Sequence, residues 1–240
     1  MMIVRNRLLD YKYIIYQDDD FFKFSLDSLL LVNFVSLNLR CKKVIDLACG
    51  NAPIPMLLYN KTKANIYGIE LQKCIYDLGI KSINENKLND RINLLWGDVR
   101  EVNKYFNSDS FDTVLCNPPY FVNYSNNMIN NDLIKARARH ELTLNIDDVL
   151  KAARYLLKNG GNLAIVHRTD RFIEIIEKFR KYGLEPKKIQ FIYSKNNKNS
   201  DLFLIEGIKN GRDGLKVLPN LVLHNDDGTY KDNIRKMFKG

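Results

Sequence analysis

Residues Lys43–Asn51 read KVIDLACGN, an apolar strand that runs into a turn of small residues. Gly50 in that turn allows the backbone to approach a ligand closely. Pro53 suits the first turn of a helix, which we expect to continue to about Lys61. This order of strand, turn and helix predicts the first unit of an open α/β sheet, which binds ligands at the carboxyl ends of its strands.

Further apolar runs continue the alternation of strand and helix along the chain. They are centred on Ile66, Leu94, Val114 and Leu163–Val166, followed by Lys188–Tyr193 and Leu202–Glu206. The last two runs flank a polar segment, so we expect them to form an antiparallel hairpin. The pattern predicts an α/β fold with a mostly parallel, seven-stranded Rossmann-like sheet and helices on both faces.

The chain is expected to form a single domain over residues 1–240, with no internal repeat or interdomain linker. Residues 1–40 are interpreted as a strand pair and a helix, 41–207 as the catalytic core and 208–240 as a basic tail. The first strand is predicted at Leu8–Tyr16 and the second at Phe21–Phe24. The helix is predicted from Asp27 to about Leu37, with Asp27 or Ser25 as its cap.

The strand Phe111–Cys116 is followed directly by Asn117, Pro118, Pro119 and Tyr120. An exocyclic amine is a poor nucleophile because its lone pair is delocalised into the ring. Acceptors on both of its N–H groups, here the Asn117 side-chain oxygen and the Pro118 carbonyl, favour a tetrahedral nitrogen with a free lone pair. The Tyr120 ring is suited to stacking on the base. The structural alternative is a proline turn that only ends the strand.

Two acidic residues also follow predicted strands. Glu70 lies twenty residues beyond Gly50, a spacing that suits binding of ribose hydroxyls, and Asp98 follows the strand at Leu94. A dinucleotide site also combines a glycine turn with an acid, but its fingerprint needs three glycines around a pyrophosphate. Residues 46–54 contain only one glycine. A nucleoside cofactor without phosphates is therefore favoured over a nicotinamide cofactor.

Taken together, these residues resemble class I S-adenosylmethionine-dependent methyltransferases that carry the Asn-Pro-Pro-Tyr motif. The resemblance is closer to the bacterial tRNA adenine-N6 methyltransferases that act on position 37, next to the anticodon. It covers nearly the whole chain, through the stretches Phe22–Leu30, Asp46–Ile54, Asn117–Phe121, Ala138–Glu141, Leu218–Val222 and Asp227–Tyr230.

The resemblance implies S-adenosylmethionine as the cofactor and S-adenosylhomocysteine as its product. No cluster of His, Cys and carboxylate residues has the spacing of metal ligands, so no metal is expected. Asp46 and Gly50 would then shape the methionine end of the pocket, Glu70 would bind the ribose, and Asp98 with Val99 would hold the adenine.

It also implies that Asn117 and Pro118 bind the target amine and that Tyr120 stacks on the target ring, with Asn117 bordering the cofactor as well. Phe24 and Ser25 would cover the methionine moiety. Many relatives carry a glycine-rich run where this chain has Ala48, Asn51 and Ala52, a departure that concerns cofactor affinity more than cofactor identity.

The predicted partner is tRNA. The net charge of +9 and a pI near 9.2 favour a polyanionic partner, and a solvated basic surface without such a partner is the alternative. The polar segment Phe121–His140 interrupts the alternation of strand and helix and is predicted to be a lid or substrate-binding loop. Its end carries Lys135, Arg137, Arg139 and His140, which are expected to contact RNA phosphates. An internally paired basic helix face is the alternative.

Composition supports a folded enzyme of the cytoplasm. Hydrophobic residues make up 45% of the chain, which excludes a disordered protein. Cys41, Cys49, Cys74 and Cys116 form no close pair, so neither a zinc ribbon nor a redox motif is indicated. The sequence shows no signal-peptide core or membrane-spanning run, and a monomer or weak dimer is expected.

Three other interpretations remain open at this stage. Release-factor glutamine methyltransferases and DNA adenine methyltransferases share the Asn-Pro-Pro-Tyr motif, but they carry an added helical domain or a larger recognition insert. A catalytically silent RNA-binding scaffold on the same fold is the third, and intact Glu70, Asp98 and Asn117 argue against it.

Overall fold

The computed structural model describes residues 3–8, 13–18, 26–118 and 144–238. The strands are β1 (Ile3–Leu8), β2 (Tyr13–Asp18), β3 (Lys43–Leu47), β4 (Asn65–Glu70), β5 (Ile92–Trp96), β6 (Phe111–Cys116), β7 (Leu157–Arg168), β8 (Leu184–Tyr193), β9 (Ser200–Lys209), β10 (Lys216–Val217) and β11 (Leu221–Val222). The helices are α1 (Leu26–Phe34), α2 (Pro53–Leu58), α3 (Lys73–Glu85), α4 (Ile146–Leu156), α5 (Phe172–Lys181) and α6 (Asp232–Phe238). Short 3-10 segments cover Val99–Lys104 and Thr169–Arg171.

The main sheet has the strand order β10-β8-β9-β7-β6-β3-β4-β5, with β11 also paired to β8. Strands β3 to β7 pair in parallel, whereas β9 pairs antiparallel with both β7 and β8. The predicted seven-stranded α/β sheet with its antiparallel hairpin is therefore confirmed. The short strands β10 and β11 extend it beyond the prediction, both parallel to β8.

Helices cover both faces of the sheet. Helices α1, α2, α3 and α6 contribute to one buried hydrophobic cluster, together with Leu8 and Ile15 of the strand pair. Helices α4 and α5 contribute to a second cluster, built around Phe111, Phe179 and Phe203. Because both faces of the central strands are covered, β3, β4 and β6 are buried along most of their length rather than at alternate positions. No helix in the described ranges is long and apolar enough to cross a membrane.

The amino-terminal strand pair forms, but its predicted bounds were wrong. Strands β1 and β2 pair from Ile3 opposite Asp18 to Leu8 opposite Tyr13, so the predicted strand Leu8–Tyr16 spans the end of one strand and most of the other. The run from residue 8 to residue 16 is rich in apolar and aromatic residues and carries no glycine or proline to mark the break. The predicted second strand, at 21–24, lies outside the described residues.

The strand pair packs on α3 through hydrogen bonds from helix side chains to the backbone of β2. The Asn86 side chain accepts from the Ile14 N–H at 2.9 Å and donates to the Ile14 carbonyl at 2.6 Å. The Ser82 hydroxyl accepts from the Tyr16 N–H at 2.9 Å. These side chains take the place that a further strand would occupy along β2.

Residues Lys158–Gly161 have the composition of a turn but form the beginning of β7. Strand β7 starts at Leu157, immediately after α4, and the register of its pairing with β6 shifts between Phe111 and Thr113. Gly160 has a φ of +79°, so the strand opens with the irregular backbone that the glycines indicated.

Candidate active site

The carboxyl ends of β3, β4, β5 and β6 lie at one edge of the sheet because these strands are parallel. This arrangement brings several predicted site residues to a common edge, namely Asp46, Gly50, Glu70, Asp98, Val99, Asn117 and Pro118. The predicted residues Phe24, Ser25, Tyr120, Lys135, Arg137, Arg139 and His140 lie outside the described residues, as does the predicted loop 121–140.

The loop between β3 and α2 has three residues with left-handed backbone, Ala48, Gly50 and Ala52, at φ values of +57°, +57° and +71°. Glycine adopts this conformation freely, whereas alanine does so at a steric cost. A Cβ added at Gly50 would meet no atom of residues 3–8, 13–18, 26–118 or 144–238 within 4 Å, so this glycine faces open space in the described structure. At Gly50 a ligand can therefore approach the backbone of the loop closely.

Asp46 lies at the base of this loop, at the end of β3, and is only 1% exposed. Among the residues that the structure describes, neither oxygen of its carboxylate has a hydrogen-bond partner. Burial raises the pKa of Asp46 well above its usual value, and the nearby Glu70 carboxylate raises it further. A buried carboxylate without a partner is costly, and a cationic ligand group would compensate it.

Glu70 ends β4 and connects two of the loops at the site. Its Oε2 accepts from the Gly50 N–H at 3.0 Å and its Oε1 accepts from the Gln72 N–H at 2.8 Å. Each carboxylate oxygen has a further lone pair, which can accept from a ligand hydroxyl. Burial raises the pKa of Glu70, and the hydrogen bonds from Gln72 and Gly50 oppose that shift.

The carboxylate of Asp98 makes hydrogen bonds within the protein that the sequence did not predict. It accepts from the Arg100 backbone N–H at 2.8 Å and from the Arg100 guanidinium at distances of 2.6 to 3.0 Å. An additional amine donor at Asp98 therefore requires Arg100 to release part of this contact. The sequence analysis assigned no role to Arg100, although a basic residue two positions after an acidic one can indicate a local ion pair. The side chain of Val99 is 5% exposed and packs in the second hydrophobic cluster.

Asn117 immediately follows β6 and is half-buried, with Pro118 buried beside it. The Asn117 side-chain nitrogen donates to the hydroxyl of Ser28 at 3.3 Å. Ser28 lies in the first turn of α1 and is 4% exposed. No sequence pattern predicted this contact, although Ser28 falls within the stretch Phe22–Leu30 that resembles the family.

Two cysteines lie inside the site rather than on its surface. Cys49 and Cys116 are 3% and 0% exposed, and burial raises the pKa of both thiols well above the usual value. The thiolate is the nucleophilic form, so both residues act as small packing groups at neutral pH. Among the described residues, no group of three or more His, Cys, Asp or Glu is arranged to hold a metal ion.

Comparison with known proteins identifies the family. The sequence model of the methyltransferase small domain family matches residues 22–191, which is more than half of the chain. The chain belongs to this methyltransferase family.

Curated relatives of this methyltransferase domain include tRNA1(Val) (adenine(37)-N6)-methyltransferases. The one from Shewanella woodyi is 23% identical, over 90% of this chain and 90% of its own length. The one from Bacteroides thetaiotaomicron is 23% identical, over 95% and 94%.

Solved structures of other methyltransferases have the same fold. A predicted O-methyltransferase from Agrobacterium tumefaciens superposes with a TM-score of 0.70 at 20% identity, covering 89% of this chain and 97% of its own. Geranyl diphosphate C-methyltransferase from Streptomyces coelicolor, solved with S-adenosylhomocysteine, has a TM-score of 0.57 at 10% identity, covering 76% of each chain. At such identities the likeness confirms the methyltransferase fold alone.

Proposed function

We propose that this enzyme transfers a methyl group from S-adenosylmethionine to the exocyclic N6 amine of an adenine in tRNA, at position 37 beside the anticodon. The proposal is supported by the methyltransferase family of the chain, by the names of its curated relatives and by the chemistry of the site. The position of Asn117 is the observation that carries it, because this carboxamide follows β6 at the same sheet edge as Asp46 and Glu70.

The residues present fit a cationic nucleoside cofactor. The methionine moiety of S-adenosylmethionine carries an ammonium group, which matches the buried carboxylate of Asp46, for which the described residues offer no partner. The open space at Gly50 admits the chain of the cofactor, and the remaining lone pairs of Glu70 suit its ribose hydroxyls. In this proposal Asp98 and Val99 border the adenine, and Phe24 with Ser25 covers the methionine end. When bound, the cofactor supplies an electrophilic methyl group on a sulfonium sulfur.

The acceptor half of the site consists of Asn117, Pro118 and Tyr120 in this proposal. Two acceptors, the Asn117 side-chain oxygen and the Pro118 carbonyl, would draw the amine hydrogens and leave the nitrogen lone pair directed at the methyl carbon. The Tyr120 ring would hold the base in line. After transfer the methylated nitrogen is acidic and can lose its proton to water, so no dedicated base is required.

The proposed partner is the anticodon stem-loop of a tRNA, bound by a monomer or weak dimer. Lys135, Arg137, Arg139 and His140 are proposed to contact its phosphates, in keeping with the net charge of +9. A target base in a loop is already unpaired, so moving it into the site costs less than base extrusion from a duplex.

A methyl-transfer assay with mapped product tests the proposal. The protein would be incubated with methyl-labelled S-adenosylmethionine and total tRNA from a strain that lacks the enzyme, and the modified nucleotide would be mapped. We expect N6-methyladenine at position 37, and no label in a transcript with guanine at that position.

An Asn117→Ala variant provides the matched control for this assay. It should bind the cofactor normally and turn over about 100-fold more slowly or worse, as expected on loss of an acceptor used in the transition state. Label on DNA or on a glutamine side chain would instead support the neighbouring methyltransferase classes. Cofactor binding without transfer to any of these would overturn the proposal in favour of a scaffold.

A further inference from the structure

We propose that Ser28 is a positioning residue for the proposed methyl transfer. Its hydroxyl holds the carboxamide of Asn117 in the orientation that the acceptor role requires. This inference rests on the proposed function and extends it to a side chain 89 positions away in the sequence.

The contact joins two buried elements at the sheet edge. The Ser28 hydroxyl accepts from the Asn117 side-chain nitrogen at 3.3 Å, and Ser28 is 4% exposed. The nitrogen and oxygen of a carboxamide point in directions about 120° apart, so an acceptor on the nitrogen side fixes where the oxygen points. An asparagine that binds an amine must present its oxygen, since its nitrogen would repel the amine hydrogens.

Helix α1 is a rigid support for Ser28. Six of its nine residues are buried, so the helix packs closely against the sheet and against α2. The packed helix therefore holds the Ser28 hydroxyl in a defined position, since sites built on helices are more precise than sites on loops.

The carboxyl end of α1 is fastened by a buried polar network. The Lys188 ammonium donates to the Phe34 carbonyl at 2.6 Å and to the Ser36 hydroxyl at 2.7 Å. The Glu206 carboxylate accepts from the Ser36 N–H at 2.6 Å and lies 3.6 Å from Lys188. Both charged side chains are largely buried, on β8 and β9. The helix is therefore held to the sheet at one end and reaches Asn117 at the other.

Ser28→Ala tests the effect on the reaction. It should lower kcat about 3- to 10-fold, the range expected for one hydrogen bond, while cofactor affinity stays within about 2-fold. Ser28→Thr restores a hydroxyl and should recover most of the rate. Ser82→Ala removes another buried serine hydroxyl, at a distance from Asn117 in α3, and should leave kcat unchanged.

A double-mutant cycle separates positioning from a general structural effect. In an Asn117→Ala background, Ser28→Ala should cause no further loss of single-turnover rate, because the group that it positions is gone. An undiminished loss in that background would overturn the inference.

Nuclear magnetic resonance tests the contact independently of catalysis. In protein labelled with ¹⁵N at asparagine, the side-chain NH₂ signals of Asn117 are assigned by their absence in Asn117→Ala. Ser28→Ala should shift these signals and speed their exchange with water, whereas Ser82→Ala should do neither. Unchanged signals would refute the contact, and shifted signals with an unchanged kcat would refute its role in the reaction. Failure of the wild type to methylate tRNA would refute the proposed function, while the spectra would still decide whether Ser28 orients Asn117.

Discussion

Replacing Asp46 with asparagine should make the cofactor-free enzyme more stable and its cofactor binding weaker. Both Asp46 oxygens are buried with no hydrogen-bond partner in the described part of the chain, and burial raises the pKa of this carboxyl well above its usual value. Asparagine has nearly the same shape and carries no charge. The substitution therefore removes the cost of holding an ionised group in a dry pocket.

The stability gain should depend on pH in a defined direction. An acid with a raised pKa in the folded state keeps its proton there while the unfolded chain loses it. The wild type therefore loses stability as the pH rises from the ordinary aspartate pKa of 3.8 to the raised pKa. The variant has no such loss. The difference should be absent below pH 3.8 and largest above the raised pKa, where an unpaired buried group costs about 1–3 kcal/mol. For a chain of this size that corresponds to a Tm increase of about 2–12 °C.

The same variant should lose the ionic contact to the cofactor ammonium. A hydrogen bond to a charged group contributes about 1.5–3 kcal/mol, so the affinity should fall about 10- to 150-fold. Thermal unfolding between pH 4 and pH 8, with and without S-adenosylhomocysteine, measures both effects, and calorimetry gives the affinity. Asp77→Asn, at an exposed carboxylate on α3, is the control and should change neither. A variant that is less stable than the wild type at pH 8, or that binds the cofactor normally, would refute the reasoning.

Three further outcomes follow from the cofactor half of the site. Ala48→Gly should raise Tm by about 2–4 °C because it relieves the left-handed backbone of an alanine. Ala152→Gly, in the middle of α4, is the control and should lower Tm. Equal changes of Tm in thermal unfolding would contradict the prediction. Asn51→Ala removes a 2.7 Å hydrogen bond to the strand pair and should weaken cofactor binding about 3- to 10-fold. Asn60→Ala removes a contact to the same strand pair away from the loop and should affect only stability. Calorimetry measures the cofactor affinity of both variants, and equal affinities would contradict the prediction. Trp96 is the single tryptophan and pairs in the sheet register with Glu70, the proposed ribose ligand. Its fluorescence should therefore change on titration with S-adenosylhomocysteine, and a constant signal at saturation would place the ribose elsewhere.

The sequence predicted those parts of the site that depend on local pattern. Strands that end in Asp46, Glu70 and Asn117 are recognisable from apolar runs and turn residues, and parallel pairing then places their ends at one edge. The family resemblance added roles to these positions. The fold class required no knowledge of individual side-chain contacts.

What the sequence did not predict arises from contacts between distant segments. The pairing of Ser28 with Asn117 and the bond from Asn51 to the Tyr16 carbonyl join segments that no periodicity relates. The contact between Asp98 and Arg100 is local, but its strength depends on a bidentate geometry that spacing alone does not specify. The strand break after Leu8 was missed because the run around it is apolar and aromatic.

The docking of β2 onto polar side chains of α3 has a practical consequence for protein engineering. Deleting the first eighteen residues would strip partners from Asn51 and Asn86 and reduce those of Ser82, and would uncover apolar surface beside the cofactor loop. A shortened version designed to leave only the catalytic core should therefore aggregate or bind its cofactor poorly, however intact the catalytic motifs remain. Affinity tags and fusion partners are better tested with the first strand left in place.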